Sequence, residues 1–137
     1  MSSPDFGIGA VIHIKDFVFE DGSKANKYFI VLGSRPGRDY LCVKTTSHPW
    51  KRGFTPGCHH KPRTYFFIPG GGKKTFFPKD TWVILSEPKI LSAGALIQGK
   101  LDGRVTLEAN FDQNFIGQVR NCLKASKDVS KLHLELM

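Results

Sequence analysis

Short runs of β-branched and aromatic residues, set apart by turn-forming clusters, fill the first two-thirds of the chain. Val11-Ile12-His13-Ile14, residues 26–32 and residues 40–46 read as strands. Asp21-Gly22-Ser23 has the pair favoured in tight hairpin loops, and Ser34-Arg35-Pro36-Gly37 is a second turn. Residues 64–68 and 82–85 make two more strands, the latter expected to close the sheet. Between the strand at 40–46 and that at 64–68, residues 48–63 hold Pro49, Gly53, Pro56, Gly57 and Pro62, and form a connection longer than compact domains usually need. Such loops often carry function. Gly70-Gly71-Gly72 reads as a mobile hairpin tip, without the spacing or following helix of a phosphate-binding loop.

The period then changes. Phe111, Phe115, Ile116, Val119 and Leu123 recur at intervals of three and four, which predicts a helix with one buried face. Asn110 or Asp112 can cap its start. A shorter helix over residues 128–135 would put Val129, Leu132 and Leu136 on one side. There is no internal repeat. The pattern predicts a mainly β fold with late helices: a small, mostly antiparallel barrel with a helix packed on it. A single domain spans residues 1–137, with a core of about 7–125 and a helical tail of about 126–137.

Composition narrows the class. The chain is 137 residues long, 40% hydrophobic and 23% charged, so it can bury a core and is not expected to be disordered. Apolar runs such as Tyr28-Phe29-Ile30-Val31-Leu32 are far shorter than the ~20 residues a bilayer-spanning helix needs. The N-terminus has no signal-peptide pattern. Three cysteines with no CxxC pair argue against a disulfide scaffold, and Cys42 and Cys122 read as small buried apolar residues. The expectation is a soluble, cytoplasmic protein with no membrane partner.

Charge changes the picture most. The formal net charge is +8. From Arg35 to Lys79 there are ten basic residues and one acid, Asp39, so this window carries +9 and the remainder −1. The same window holds eight of the 16 aromatic residues. Basic side chains neutralise phosphates and aromatic rings stack on unpaired bases, so this composition suits single-stranded nucleic acid. The plainer alternative is a solvated basic loop around strands whose aromatics face the core.

With these residues in view, the chain resembles the PemK/MazF family of toxin ribonucleases. The matching stretches are Gly9-Ala10-Val11-Ile12-His13-Ile14, Asp21-Gly22-Ser23 and Tyr28-Phe29-Ile30-Val31-Leu32-Gly33. Next come Tyr40 to Val43 leading into Thr45-Thr46-Ser47, then Lys79-Asp80-Thr81-Trp82-Val83-Ile84-Leu85 and the late helix. The resemblance covers roughly residues 7–125. It implies an SH3-like antiparallel β-barrel, usually a homodimer, that cleaves single-stranded RNA without a metal or other cofactor. It also implies an antitoxin protein that occludes the RNA groove. Metal-free cleavage needs a base for the 2′-OH, an acid for the leaving oxygen and fixed positive charge for the phosphorane.

Aligned on Ile30-Val31-Leu32, Lys27 falls where the family has an arginine and Thr46 falls on its catalytic threonine, with Ser47 beside it. Catalytic roles therefore go to Lys27, Thr46 and Ser47. Lysine is a mobile point charge where arginine is a planar fork, and it can also carry a proton when its pKa is lowered. Arg35, Arg38, Arg52 or Arg63 can supply the fork. Together with Lys44, Lys51, Lys73 and Lys74 they make up the expected RNA-binding set.

Cys58-His59-His60, with His48 ten residues earlier, has zinc-ligand chemistry. Neighbouring residues on an extended chain face opposite sides, so the three are not expected to share an ion, and no metal is assigned. His59 and His60 fit better as proton carriers beside the basic window. His13, between Ile12 and Ile14, reads as a solvated strand residue. No paired-carboxylate or Ser-His-Asp pattern is present.

Overall fold

A computed structural model describes residues 6–35, 39–48, 52–71, 76–127 and 129–137, without the side chain of Leu132. The elements in chain order are β1 (Ala10–Val18), β2 (Lys24–Ser34), β3 (Asp39–Thr46), β4 (Gly57–His59), β5 (Tyr65–Ile68), β6 (Thr81–Ile84), β7 (Lys89–Ser92), α1 (Ala93–Leu101), β8 (Val105–Asn110), α2 (Gln113–Lys124) and α3 (Lys131–Leu136). The strands form one antiparallel sheet in the order β4-β5-β6-β3-β2-β1-β8, with β7 also paired to β3. Mainly β architecture with late helices is therefore what the chain adopts.

Two expectations need correction. The sheet is open: the path runs from β4 to β8, and among the described residues these two do not pair. The 82–85 strand does not close it either, since β6 lies inside the sheet between β5 and β3. The reason lies in β3, which gives its outer edge to two partners in turn. Asp39 to Cys42 face β7, and Thr45 and Thr46 face β6.

The first three strands have apolar runs because both of their faces are covered. Val11, Ile30, Leu32, Leu41 and Val43 pack with Ile116, Val119 and Leu123 of α2. Ile12, Ile14, Phe29, Val31 and Cys42 pack on the other side with Ala93 and Leu96 of α1. Continuous rather than alternating hydrophobicity is what two-sided burial requires. Asp112 caps α2, its side chain accepting from the Phe115 N–H at 2.8 Å. The tail helix α3 reaches back to β2, where a Cβ on Gly33 would lie 2.1 Å from the Leu136 carbonyl oxygen. Gly33 is needed for that close approach. Among the described residues, no helix is long and apolar enough to cross a membrane.

Candidate nucleic-acid interface

The pairing of β2 with β3 brings the two residues singled out by the resemblance together. Phe29 is opposite Lys44, and the Thr45 hydroxyl donates to the Tyr28 carbonyl at 3.1 Å. Carried two residues further, this register sets Lys27 across from Thr46. Both residues line a cleft of about 630 Å³ together with Asn26, Tyr28, Ser47, His48, Phe76 and Lys79. The Thr46 hydroxyl oxygen accepts the His48 backbone N–H at 3.2 Å, which fixes the end of β3 against the cleft. Partial burial, with a smaller push from the charge of Lys44, lowers the pKa of Lys27 from the ordinary lysine value.

This cleft continues into others through shared walls. Lys27, Thr45 and Thr46 also line a 210 Å³ hollow with Lys44, Arg52 and Glu87. Arg52 and Glu87 in turn line a 350 Å³ cleft that includes Arg63, and Arg63 borders a 770 Å³ cleft with His60, Lys61 and Lys127. The result is a chain of concavities carrying Lys79, Lys27, Arg52, Arg63, Lys61 and Lys127. Its acid, Glu87, accepts Lys44 at 3.1 Å, and that hydrogen bond holds the Glu87 carboxyl below the usual range.

The loop carrying Arg52 is gripped by two strands. The Gly53 N–H donates to the Tyr65 hydroxyl at 2.7 Å, and the Trp82 indole N–H donates to the Gly53 carbonyl at 2.9 Å. Arg52 itself donates to the His48 carbonyl at 2.8 Å, across the loop from Thr46. A guanidinium is therefore held beside the Lys27–Thr46 pair, and Arg52 fits the missing fork best. Arg35 instead pairs with Glu135 of α3 at 3.1 Å, and neither lines these clefts. Lys44 is engaged by Glu87 and sits 5.5 Å above the Phe19 ring. Arg38, Lys51, Lys73 and Lys74 lie outside the described residues.

His48, Asn26, Tyr28 and Lys79 join the cleft without having been singled out for it. For His48 the signal was present, since it directly follows the Thr-Ser pair at the end of a strand. The His13 ring lies 4.7 Å from that of Tyr28, in contact with the cleft wall rather than fully solvated.

Cys42 and Cys122 are buried as expected, but the pairing of Cys122 with Cys58 corrects the sequence reading. Cys58 and Cys122 form a disulfide, whereas Cys42 is buried and free, with burial pushing its thiol pKa up. Cys122 is on the buried face of α2, and α2 packs on β4, which carries Cys58. His59 points away and stacks on Tyr65 at 4.6 Å between centroids, as the alternation of an extended chain requires. His60 falls on the same side as Cys58, with its Nε2 3.4 Å from the Cys58 sulfur.

The fold and its surface define a class: an open antiparallel β domain with a basic, aromatic-lined groove across strands β2, β3 and β6. No family model, curated protein or solved structure gives a significant match to this chain.

Proposed function

We propose that this protein is a PemK/MazF-like toxin that cleaves single-stranded RNA without a metal, built on an opened-out variant of the SH3-like barrel. The carrying observation is the meeting of Lys27 and Thr46 in one basic cleft beside Ser47 and His48. In this reading Tyr28 and Phe76 stack on unpaired bases, and the Thr46 and Ser47 hydroxyls donate to phosphate oxygens. Lys27, with its lowered pKa, moves a proton at the scissile phosphate. Arg52 supplies the planar charge for the phosphorane. A homodimer and an antitoxin protein that covers the groove complete the proposal.

The test is incubation of the purified protein with mixed-sequence single-stranded RNA in EDTA, beside Lys27→Ala and Thr46→Ala variants of unchanged melting temperature. Wild-type cleavage with a loss of about 10²- to 10⁴-fold in each variant supports the reading. A second reading, an RNA-binding domain that does not cut, is favoured by lysine standing where the family has arginine. RNA retained intact in a gel shift by the wild type would replace the first reading with the second.

A further inference from the structure

At the far end of the groove, β4 and α2 bring together a set of soft ligand atoms. The Cys58 and Cys122 sulfurs and a His60 ring nitrogen all lie within 4.8 Å of one another. Cys58 and His60 share one side of the extended chain, and Cys122 comes from the helix above them. The 3.4 Å from the Cys58 sulfur to His60 Nε2 is close to the edge of a zinc tetrahedron. With bonds of about 2.3 Å to sulfur and 2.0–2.1 Å to nitrogen, that edge is roughly 3.5 Å.

The ring is also oriented from behind. His60 Nδ1 is 3.2 Å from the Thr64 hydroxyl, which is 2.7 Å from that of Ser126, and both hydroxyl residues are buried. With the proton on Nδ1, this relay leaves the Nε2 lone pair aimed at the sulfurs. A partner on the second nitrogen is how metal-binding histidines are usually held. His60 also borders the 770 Å³ cleft with Lys61 and Lys127, which has room for a water or a small anion as a fourth ligand.

We propose that the reduced protein binds one Zn²⁺ through Cys58, His60 and Cys122, with the Cys58–Cys122 disulfide as the metal-free, oxidised alternative. A dithiol reductant delivers two electrons and two protons to the pair, leaving two thiols and the reductant's own cyclic disulfide. Zn²⁺ then displaces both thiol protons to solvent and bonds to two thiolates and a neutral imidazole. Two thiolate charges balance the dication, which suits a half-buried site. In either state a cross-link joins β4 to α2. The residues belong to the wall next to Arg63 and lie apart from Lys27 and Thr46, so this site stands whether or not the groove cleaves RNA.

The experiment is an anaerobic titration of the full chain with Co²⁺ alone, after reduction with a phosphine. Expected are a thiolate-to-cobalt charge-transfer band and the intense visible bands of a tetrahedral site, saturating at one cobalt per chain and abolished by an equivalent of Zn²⁺. His60→Ala keeps both thiols, and so its ability to form the disulfide, and should lose the tetrahedral spectrum. Thr64→Val should weaken binding by about 10- to 100-fold. Absence of the charge-transfer band in the reduced wild type would overturn the proposal. A wild-type spectrum from His60→Ala would overturn it equally, by removing the imidazole from the ligand set.

Discussion

The two ends of the sheet are held together in different ways. Strands β1, β2 and β3 are eight to eleven residues long and bury both faces, with Val11, Ile30 and Leu32 toward α2 and Ile12, Phe29 and Val31 toward α1. Strands β4, β5 and β6 are three or four residues long; β5 and β6 send Phe66, Ile68 and Val83 into the core under α2 and set Tyr65, Phe67, Trp82 and Ile84 in a small cluster on the other face. Phe54 lies on that cluster, 60% exposed. This end adds specific links to its burial: the Trp82–Gly53–Tyr65 hydrogen bonds and the Cys58–Cys122 bridge. The groove follows the border between them. Its floor, Lys27 and Thr46, belongs to the well-buried end, and its Arg52 wall belongs to the linked end.

Cutting a link and hollowing the core should therefore fail differently. Cys58→Ser opens a cross-link spanning 64 residues, for a loss of about 4 kcal/mol on the chain-entropy estimate. Leu32→Ala, at a fully buried position, should cost about 2–5 kcal/mol. Urea unfolding in reductant and chelator separates the two. There Cys58→Ser should match the wild type, and Leu32→Ala should keep its full deficit.

A smaller change tests the wall alone. Trp82→Phe preserves most of the ring contacts with Phe54 and Phe67 but removes the donor to the Gly53 carbonyl. It should lower stability by about 1 kcal/mol and weaken RNA binding through Arg52, both measurable by urea midpoint and gel shift. Smaller again is the salt dependence of binding. Arg52→Ala or Lys79→Ala should each flatten the log–log slope by about 0.7 if it meets a phosphate of single-stranded RNA. Arg35→Ala, whose cation already pairs with Glu135, should leave it unchanged.

The smallest effect is a pH dependence from the floor. Lys27 has a folded pKa below that of an unfolded lysine, so between the two values the unfolded chain binds more protons. Stability contributed by this group must rise as pH climbs through that alkaline window, up to about 10.5. Lys27→Met should remove that rise from a pH series of urea midpoints. An unchanged series would assign the rise to other groups.

How much of this was legible depends on how local each feature is. β1 to β3, β5, β6 and the amphipathic α2 with its Asp112 cap follow from runs and periods in the sequence. The segment from β7 through α1 to β8 did not announce itself. α1 is apolar around much of its surface and contains Gly94 and Gly99, which blurs the helical period. β8 is an edge strand with only Val105 fully buried, so its burial gives no alternation. Lys27 and Thr46 were singled out through the resemblance, by alignment on Ile30-Val31-Leu32, and not by any local pattern of their own. Arg52 was named only as one of four candidate forks, because Tyr65 and Trp82 fix its loop from strands far along the chain. The Cys58–Cys122 pairing depends on which face of α2 rests on β4, and spacing carries no trace of that.

The pairing of β1 with β8 also constrains how the molecule is made. Ala10 is opposite Asn110, so the outer edge of the first strand waits for a partner about 100 residues downstream. At typical synthesis rates that edge stays open for roughly 5–20 s on the ribosome. Its apolar neighbours Val11, Ile12 and Ile14 are in the meantime a ready surface for another nascent chain. Lys15 and Asp16, exposed just beyond them, are the charges available to discourage such a contact until β8 emerges.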